Sequence, residues 1–359
     1  MTFALPKTVF AALAFAAFSA FSPEILAASE PKNADVSDEL ESKIEDLPGD
    51  NFSAPWPKFT KLADMLPAKI VKEEGRENVY ETEHFRFTCT APIALSSLRE
   101  IARVFEGSYQ ANLALPLNSP CNYYQVAEKG KLRAVLFETR EEFLRAIGGN
   151  STETAKTLGV CLRAGNMETS SILVPFSSLG LEKAGTRYKK SARKINPTTL
   201  AHELTHFLSL PGRNYPTWFS EGLAEYVGNT DYNNGKFSFS TNKKEIVAHA
   251  GTGRGKNGRN GRGLGKQIKS PPLQKFLAQS SSEFLDGDVQ FNYGFSMLLV
   301  YYFFHLDGKR DAARIKEFLK ACPDASASEK LLDGRTWKQL ERDVARGMKS
   351  LGFIVDFEK

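Results

Sequence analysis

The sequence predicts an α+β fold, with an N-terminal α/β lobe built on a mixed sheet and a C-terminal helical lobe. Three observations predict it. Before residue 195, apolar residues fall partly in alternating or short β-type runs and partly at helical spacing. From Asn196 onward the helical period dominates and strand candidates become scarce. A length of 359 residues suits two domains of ordinary size, or one unit made of two lobes. Composition agrees: 42% hydrophobic and 25% charged residues exclude wholesale disorder, collagen-like repeats and a membrane bundle. A net charge of +5 is too mild over this length to mark a nucleic-acid binder, whose basic footprint is stronger and more concentrated.

The elements follow in order. Met1 to Lys7 is a short, weakly basic start, Thr8 to Phe21 is uncharged and apolar, and Pro23 to Ala28 ends in small residues. That is the pattern of a secretory signal peptide over 1–28. The apolar run falls short of the roughly 20 residues that span a bilayer. The mature chain is therefore expected to be exported, periplasmic or secreted, with no transmembrane segment. Residues 29–57 read as a flexible acidic linker, because Glu30 to Asp50 carries eight acidic and two basic residues and few large apolar ones. The α/β lobe is assigned to 58–195. In it, Asn78 to Thr90 alternates in strand fashion, Ile93 to Leu113 has helical spacing, and Leu132 to Phe137 is a compact β-type run. Arg140 to Ile147 is a short helix ended by Gly148 and Gly149, and Gly159 to Ala164 with Ser171 to Phe176 forms a hairpin. The helical lobe is assigned to 196–359, with Lys236 to Thr241 as its main strand candidate. Cys89, Cys121, Cys161 and Cys322 permit two disulfides in any of three connectivities, or buried thiols, and no pair has metal-site spacing.

The chemistry is concentrated where the lobes join. Asn196-Pro197 is a helix start, with a side-chain cap and a proline at the first helical position. The helix it opens contains His202-Glu203-Leu204-Thr205-His206. The two histidines lie about 40° apart on the helical wheel, so both imidazoles reach one ion. Leu200, Leu204, Phe207 and Leu208 cluster on roughly the opposite side, leaving the histidine face for a cleft. Glu203 lies beside the metal, positioned to hold a water bound to it. This His-Glu-x-x-His pattern on a helix is the zincin arrangement. Two histidines leave a zinc in need of a third protein ligand and an open position. After a turn with Pro211, Gly212 and Pro216, a second helix reads Thr217 to Val227 and offers Glu221. Glu225, one turn further on the same face, is suited to accept a hydrogen bond from a ligand imidazole and fix its tautomer.

HELTH followed by WFSEGLAEY resembles the gluzincin metallopeptidases, and most closely the bacterial peptidase MA-like proteins, many of them exported. The likeness runs from about Glu83 to the end of the chain. It implies a zincin-like fold with the active-site helix between the lobes, a zinc cofactor and a peptide or protein substrate. His202, His206 and Glu221 match the metal ligands, and Glu203 matches the general base. The interval from His206 to Glu221 is a few residues shorter than in thermolysin or the aminopeptidases, a departure that bears on specificity rather than on the metal. The same resemblance makes Tyr293, at the start of the aromatic run Tyr293 to Tyr302, the donor to the oxyanion, with His249 and His305 as fallback donors. It also matches Gly165 to Thr169 with a segment whose glutamate binds the substrate amino terminus, which makes Glu168 a substrate-binding candidate. Thr169 stands where that segment carries asparagine.

Two basic stretches remain, Lys183 to Lys194 and Gly251 to Lys269, each with six Lys or Arg and no acid. Neither has the aromatic interleaving of a single-stranded nucleic-acid platform. They read as solvated loops, or as a mobile lid or an attachment to an anionic cell-envelope polymer. The competing functional class is a non-catalytic envelope-binding protein on a peptidase-like scaffold. An intact Glu203 argues against it, because a binding module has no use for a base.

Overall fold

A computed structural model describes residues 60, 66–117, 130–148, 158–164, 166–191, 197–209, 215–239, 242–252, 254–255, 259–324 and 326–358. The expected signal peptide at 1–28, the expected acidic linker at 29–57 and Cys121 lie outside the described residues. The fold is α+β with a mixed sheet. The chain divides into two compact units, the first including Leu62–Tyr109 and Pro120–Gly212, the second Gln110–Ser119 and Arg213–Lys359.

The first unit is organised by a six-stranded sheet. Its strands are β1 (Lys69–Glu74), β2 (Glu77–Glu81), β3 (Phe85–Cys89), β4 (Leu132–Phe137), β5 (Val160–Ala164) and β6 (Asn166–Pro175). They lie in the order β1-β2-β3-β4-β6-β5. The β3–β4 and β4–β6 pairs are parallel, and the others are antiparallel. Alternation shapes β3 and β4: Phe85, Phe87, Cys89, Leu132, Ala134 and Leu136 are all buried. Helix α1 (Leu95–Ala114) sets Phe105 edge-on to Phe85 and Phe87 at 5.2 and 5.0 Å. Asn78 to Thr90, read from sequence as one strand, is a hairpin of β2 and β3. The break comes from Glu106, a buried α1 carboxylate that accepts from Thr82 Oγ1 (2.6 Å) and the His84 amide (2.9 Å) and meets His84 Nδ1 at 2.6 Å. A distant side chain thus bends the chain at 82–84, a long-range event without a local signature. Helix α2 (Arg140–Ala146) starts on the Thr139 cap, whose hydroxyl accepts from the Glu142 amide.

After a 3-10 turn at Phe176–Leu179, β7 (Leu181–Ala184) and β8 (Arg187–Lys190) form a second hairpin. It occupies most of the first basic stretch, which sequence had suggested as a loop. Arg187 grips both oxygens of Glu73 at 2.6 and 2.5 Å, and Lys190 pairs with Glu100, so these cations are engaged within the fold. Helix α3 (Pro197–Ser209) ends the unit and packs against β5 and β6.

The second unit is mainly helical. It contains α4 (Thr217–Gly228), the short hairpin β9 (Asp231–Asn233) and β10 (Lys236–Ser238), α5 (Asn242–Gly251), β11 (Gln267–Ser270), α6 (Leu273–Leu277) and α7 (Ser281–Asp286). Then come α8 (Val289–His305), α9 (Ala313–Ala321), α10 (Trp337–Lys349) and β12 (Ile354–Phe357), which pairs in parallel with β11. Asn234 and Gly235, both with positive φ, make the tight β9–β10 turn. Capping boxes at Ser280/Glu283 and Thr336/Gln339 start α7 and α10. Helix α8 is buried from Asn292 to His305 and forms the centre of the unit. It crosses α4 at Gly222, where a Cβ would lie 2.6 Å from the Ser296 carbonyl oxygen, so this contact needs glycine. Around the crossing, Trp218 meets Phe318 at 5.6 Å and Tyr226 meets Phe304 at 5.3 Å. No described helix is long and apolar enough to cross a membrane.

Candidate metal centre

On α3 the apolar face buries Leu200, Leu204, Phe207 and Leu208. His202 and His206 fall one turn apart on the other face, 4% and 5% exposed, with their Nε2 atoms 3.2 Å apart. Two nitrogens bound tetrahedrally at 2.0–2.1 Å from one zinc would stand about 3.3 Å apart, so the observed separation suits a shared ion. Glu203 is 2% exposed. Its Cγ lies against Gly159, where a Cβ would approach to 3.7 Å, and it borders a small hollow lined by Leu158, Val174, Leu179 and Leu200. Thr205 turns its hydroxyl onto the Ala201 carbonyl (2.8 Å), which removes it from the histidine face.

Helix α4 carries Glu221 and Glu225 one turn apart, both buried. One ligand atom from each of His202, His206 and Glu221 lies within 4.8 Å of the others. Two imidazoles and a carboxylate are the donor set of an open, catalytic type of zinc site, so the residues fit the metal.

Glu225 is held by residues that sequence reasoning did not connect with it. Its Oε2 accepts from His249 Nε2 (2.9 Å) and Arg262 Nε (3.2 Å), and its Oε1 accepts from Arg262 Nη2 (2.5 Å). Burial acts to lower the Arg262 pKa, but the charge and hydrogen bonds of Glu225, with the charges of Tyr293 and Glu221, carry it above the ordinary guanidinium value. Tyr293 is fully buried in the second turn of α8, its ring beneath the Arg262 guanidinium (4.7 Å) and against Phe284 (5.5 Å). The fallback donors separate. His249 stands on Glu225, whereas His305 lies twelve residues beyond Tyr293, about 18 Å along the helix axis. There it meets the Tyr226 hydroxyl at 2.8 Å, and burial, with the Arg310 charge adding, pushes its pKa down to about 3. Glu168 lies on β6, with its side chain outside the described residues.

The signal for Arg262 was in the second basic stretch, but six cations among seven glycines give no reason to single out one. His249 entered the sequence reading as a fallback oxyanion donor, not as a partner of Glu225. No protein-family model matches this sequence, and no curated protein is significantly similar to it.

Proposed function

We propose that this chain is an exported zinc-dependent metallopeptidase of zincin-like architecture, as its resemblance to the gluzincins implies, acting on a peptide or protein substrate. One observation carries the reading: His202, His206 and Glu221 bring three buried metal-ligand atoms within 4.8 Å of one another, with Glu203 between the histidines on the same helix. A zinc ion in such a set supplies Lewis-acid polarisation of a carbonyl and a water of lowered pKa. The chain's own residues do the rest. His202, His206 and Glu221 hold the ion. Glu203 takes the proton of the attacking water on its carboxylate and delivers it to the leaving amine. The Tyr293 phenol donates a hydrogen bond to the oxyanion that develops on the substrate. Glu168 is a candidate for the substrate amino terminus. The basic stretches at 183–194 and 251–269 remain candidates for an anionic envelope polymer only through the cations not engaged within the fold.

The test is metal analysis with peptide profiling. Full chain purified without chelators is expected to hold close to one zinc per molecule and to cleave members of a diverse peptide library, with cleavage abolished by chelator and restored by zinc. A folded protein that takes up no zinc when it is supplied overturns the metal. A zinc-loaded protein that cleaves nothing leaves the envelope-binding class in its place.

A further inference from the structure

The glycine-rich basic stretch ends in a segment that is built into the second unit. The Arg262 amide donates to the His249 carbonyl (2.6 Å), Leu264 to Ala250 (2.8 Å) and Gly265 to Gly251 (3.1 Å), so the segment is sewn along the last turn of α5. The Arg262 side chain is only 4% exposed. It holds both oxygens of Glu225, donates through Nη1 to Gln290 Oε1 (3.3 Å) and lies over the Tyr293 ring. Gly294 makes room for it: a Cβ there would come within 2.8 Å of the Arg262 Cβ. One guanidinium therefore ties α4 to α8 at the turn of α4 next to Glu221, while its own backbone is fixed to α5.

Stability is a poor explanation for this arrangement. A buried ion pair loses much of its Coulombic gain to desolvation, and apolar residues of similar volume often serve as well. A planar fork, by contrast, fixes direction, because two parallel hydrogen bonds and a stacked ring leave the carboxylate and the phenol little freedom. We propose that Arg262 is the positioning residue of the carboxylate side of the candidate metal centre. It fixes the α4 face that presents Glu221 and holds the Tyr293 ring. Residues 261–265 are accordingly a built part of that side rather than a mobile lid. This inference rests on the metal-centre reading above.

The experiment uses the full chain, Arg262→Lys, which keeps the charge but loses the fork and the stacking plane, and Arg262→Met, which keeps the length alone. Each is titrated with Co2+ well below its own melting temperature, and the absorption spectrum of the bound ion is recorded. Loss of a residue that orients metal ligands typically weakens binding about 10- to 100-fold. Both variants are therefore expected to bind Co2+ at least tenfold more weakly and with an altered spectrum. Where a peptide is cleaved, kcat should fall while KM stays within about twofold. Wild-type affinity and spectrum in folded Arg262→Lys overturn the proposal, even if its melting temperature drops. Should Arg262→Met fail to fold, the lysine variant decides. Should the wild-type chain itself bind no Co2+, the metal-centre reading falls. A crystal structure of Arg262→Lys then decides this one, with unmoved Glu221 and Tyr293 side chains overturning it.

Discussion

Helices α3 and α4 bring their ligands to the candidate centre under different physical conditions. Helix α3 is two-faced: leucines and Phe207 enter the core, and the other face carries two buried imidazoles, side chains that have a neutral form and so are less costly to bury than a carboxylate. Helix α4 is buried from Trp218 through Gly228 apart from Ser220, and within that stretch it carries two carboxylates one turn apart. Like charges at that spacing repel, and a buried carboxylate without a partner is expensive. The compensation comes from outside the helix, through Arg262 and His249 on Glu225. A histidine pair thus needs only its own helix to be arranged, whereas a carboxylate pair needs a tertiary neighbourhood built around it.

Four experiments break or sharpen this contrast. The largest effect is expected on α3. Glu203→Gln should leave zinc content and melting temperature unchanged and lower kcat about a thousandfold, because the amide accepts no proton from the attacking water. Undiminished turnover would remove Glu203 as the base and leave α3 a metal-holding helix alone.

The next effect probes the interior that α4 and α8 share. His305 has a folded pKa of about 3, depressed from the ordinary 6.5 by burial. Its contribution is complete above pH 6.5 and is lost as pH falls from there toward 3, because the unfolded chain binds the proton first. At pH 4 this amounts to about 3 kcal/mol. Denaturant unfolding at pH 8 and pH 4 should show a stability loss smaller by roughly that amount in His305→Gln than in the wild-type chain. Equal losses in the two proteins would mean that His305 is not the neutral buried group described.

Tyr293→Phe distinguishes chemistry from packing at the head of α8. The ring and its stacking against Arg262 persist, so melting should hardly change, while losing an oxyanion donor should lower turnover about a hundredfold with KM little altered. Intact turnover would return Tyr293 to a packing role and make His249 the next donor to test.

The smallest effect concerns geometry alone. Gly222→Ala places a methyl 2.6 Å from the Ser296 carbonyl oxygen, and the α4–α8 crossing must widen. A loss of about 2 kcal/mol is expected from such overpacking, together with weaker metal binding as Glu221 shifts. Destabilisation with metal affinity unchanged would show that Glu221 is positioned independently of this crossing.

The sequence by itself determined the features that depend on short-range spacing. His202, Glu203 and His206 are placed by the pitch of one helix, and Leu200, Leu204, Phe207 and Leu208 decide which face is turned inward. Likewise Gly148 follows the end of α2, and alternation marks β3 and β4. Tertiary structure decided whatever depends on partners far along the chain. Glu106 breaks an apparently continuous strand by capturing Thr82 and His84, and Glu73 draws Arg187 out of a stretch that looked merely basic. Arg262, 37 positions beyond Glu225, becomes its buried counter-charge. The physical reason is the same in each case. Periodicity encodes which side of an element is apolar, but the free energy of a buried charge depends on the partner that folding brings to it, and local sequence carries no record of that partner.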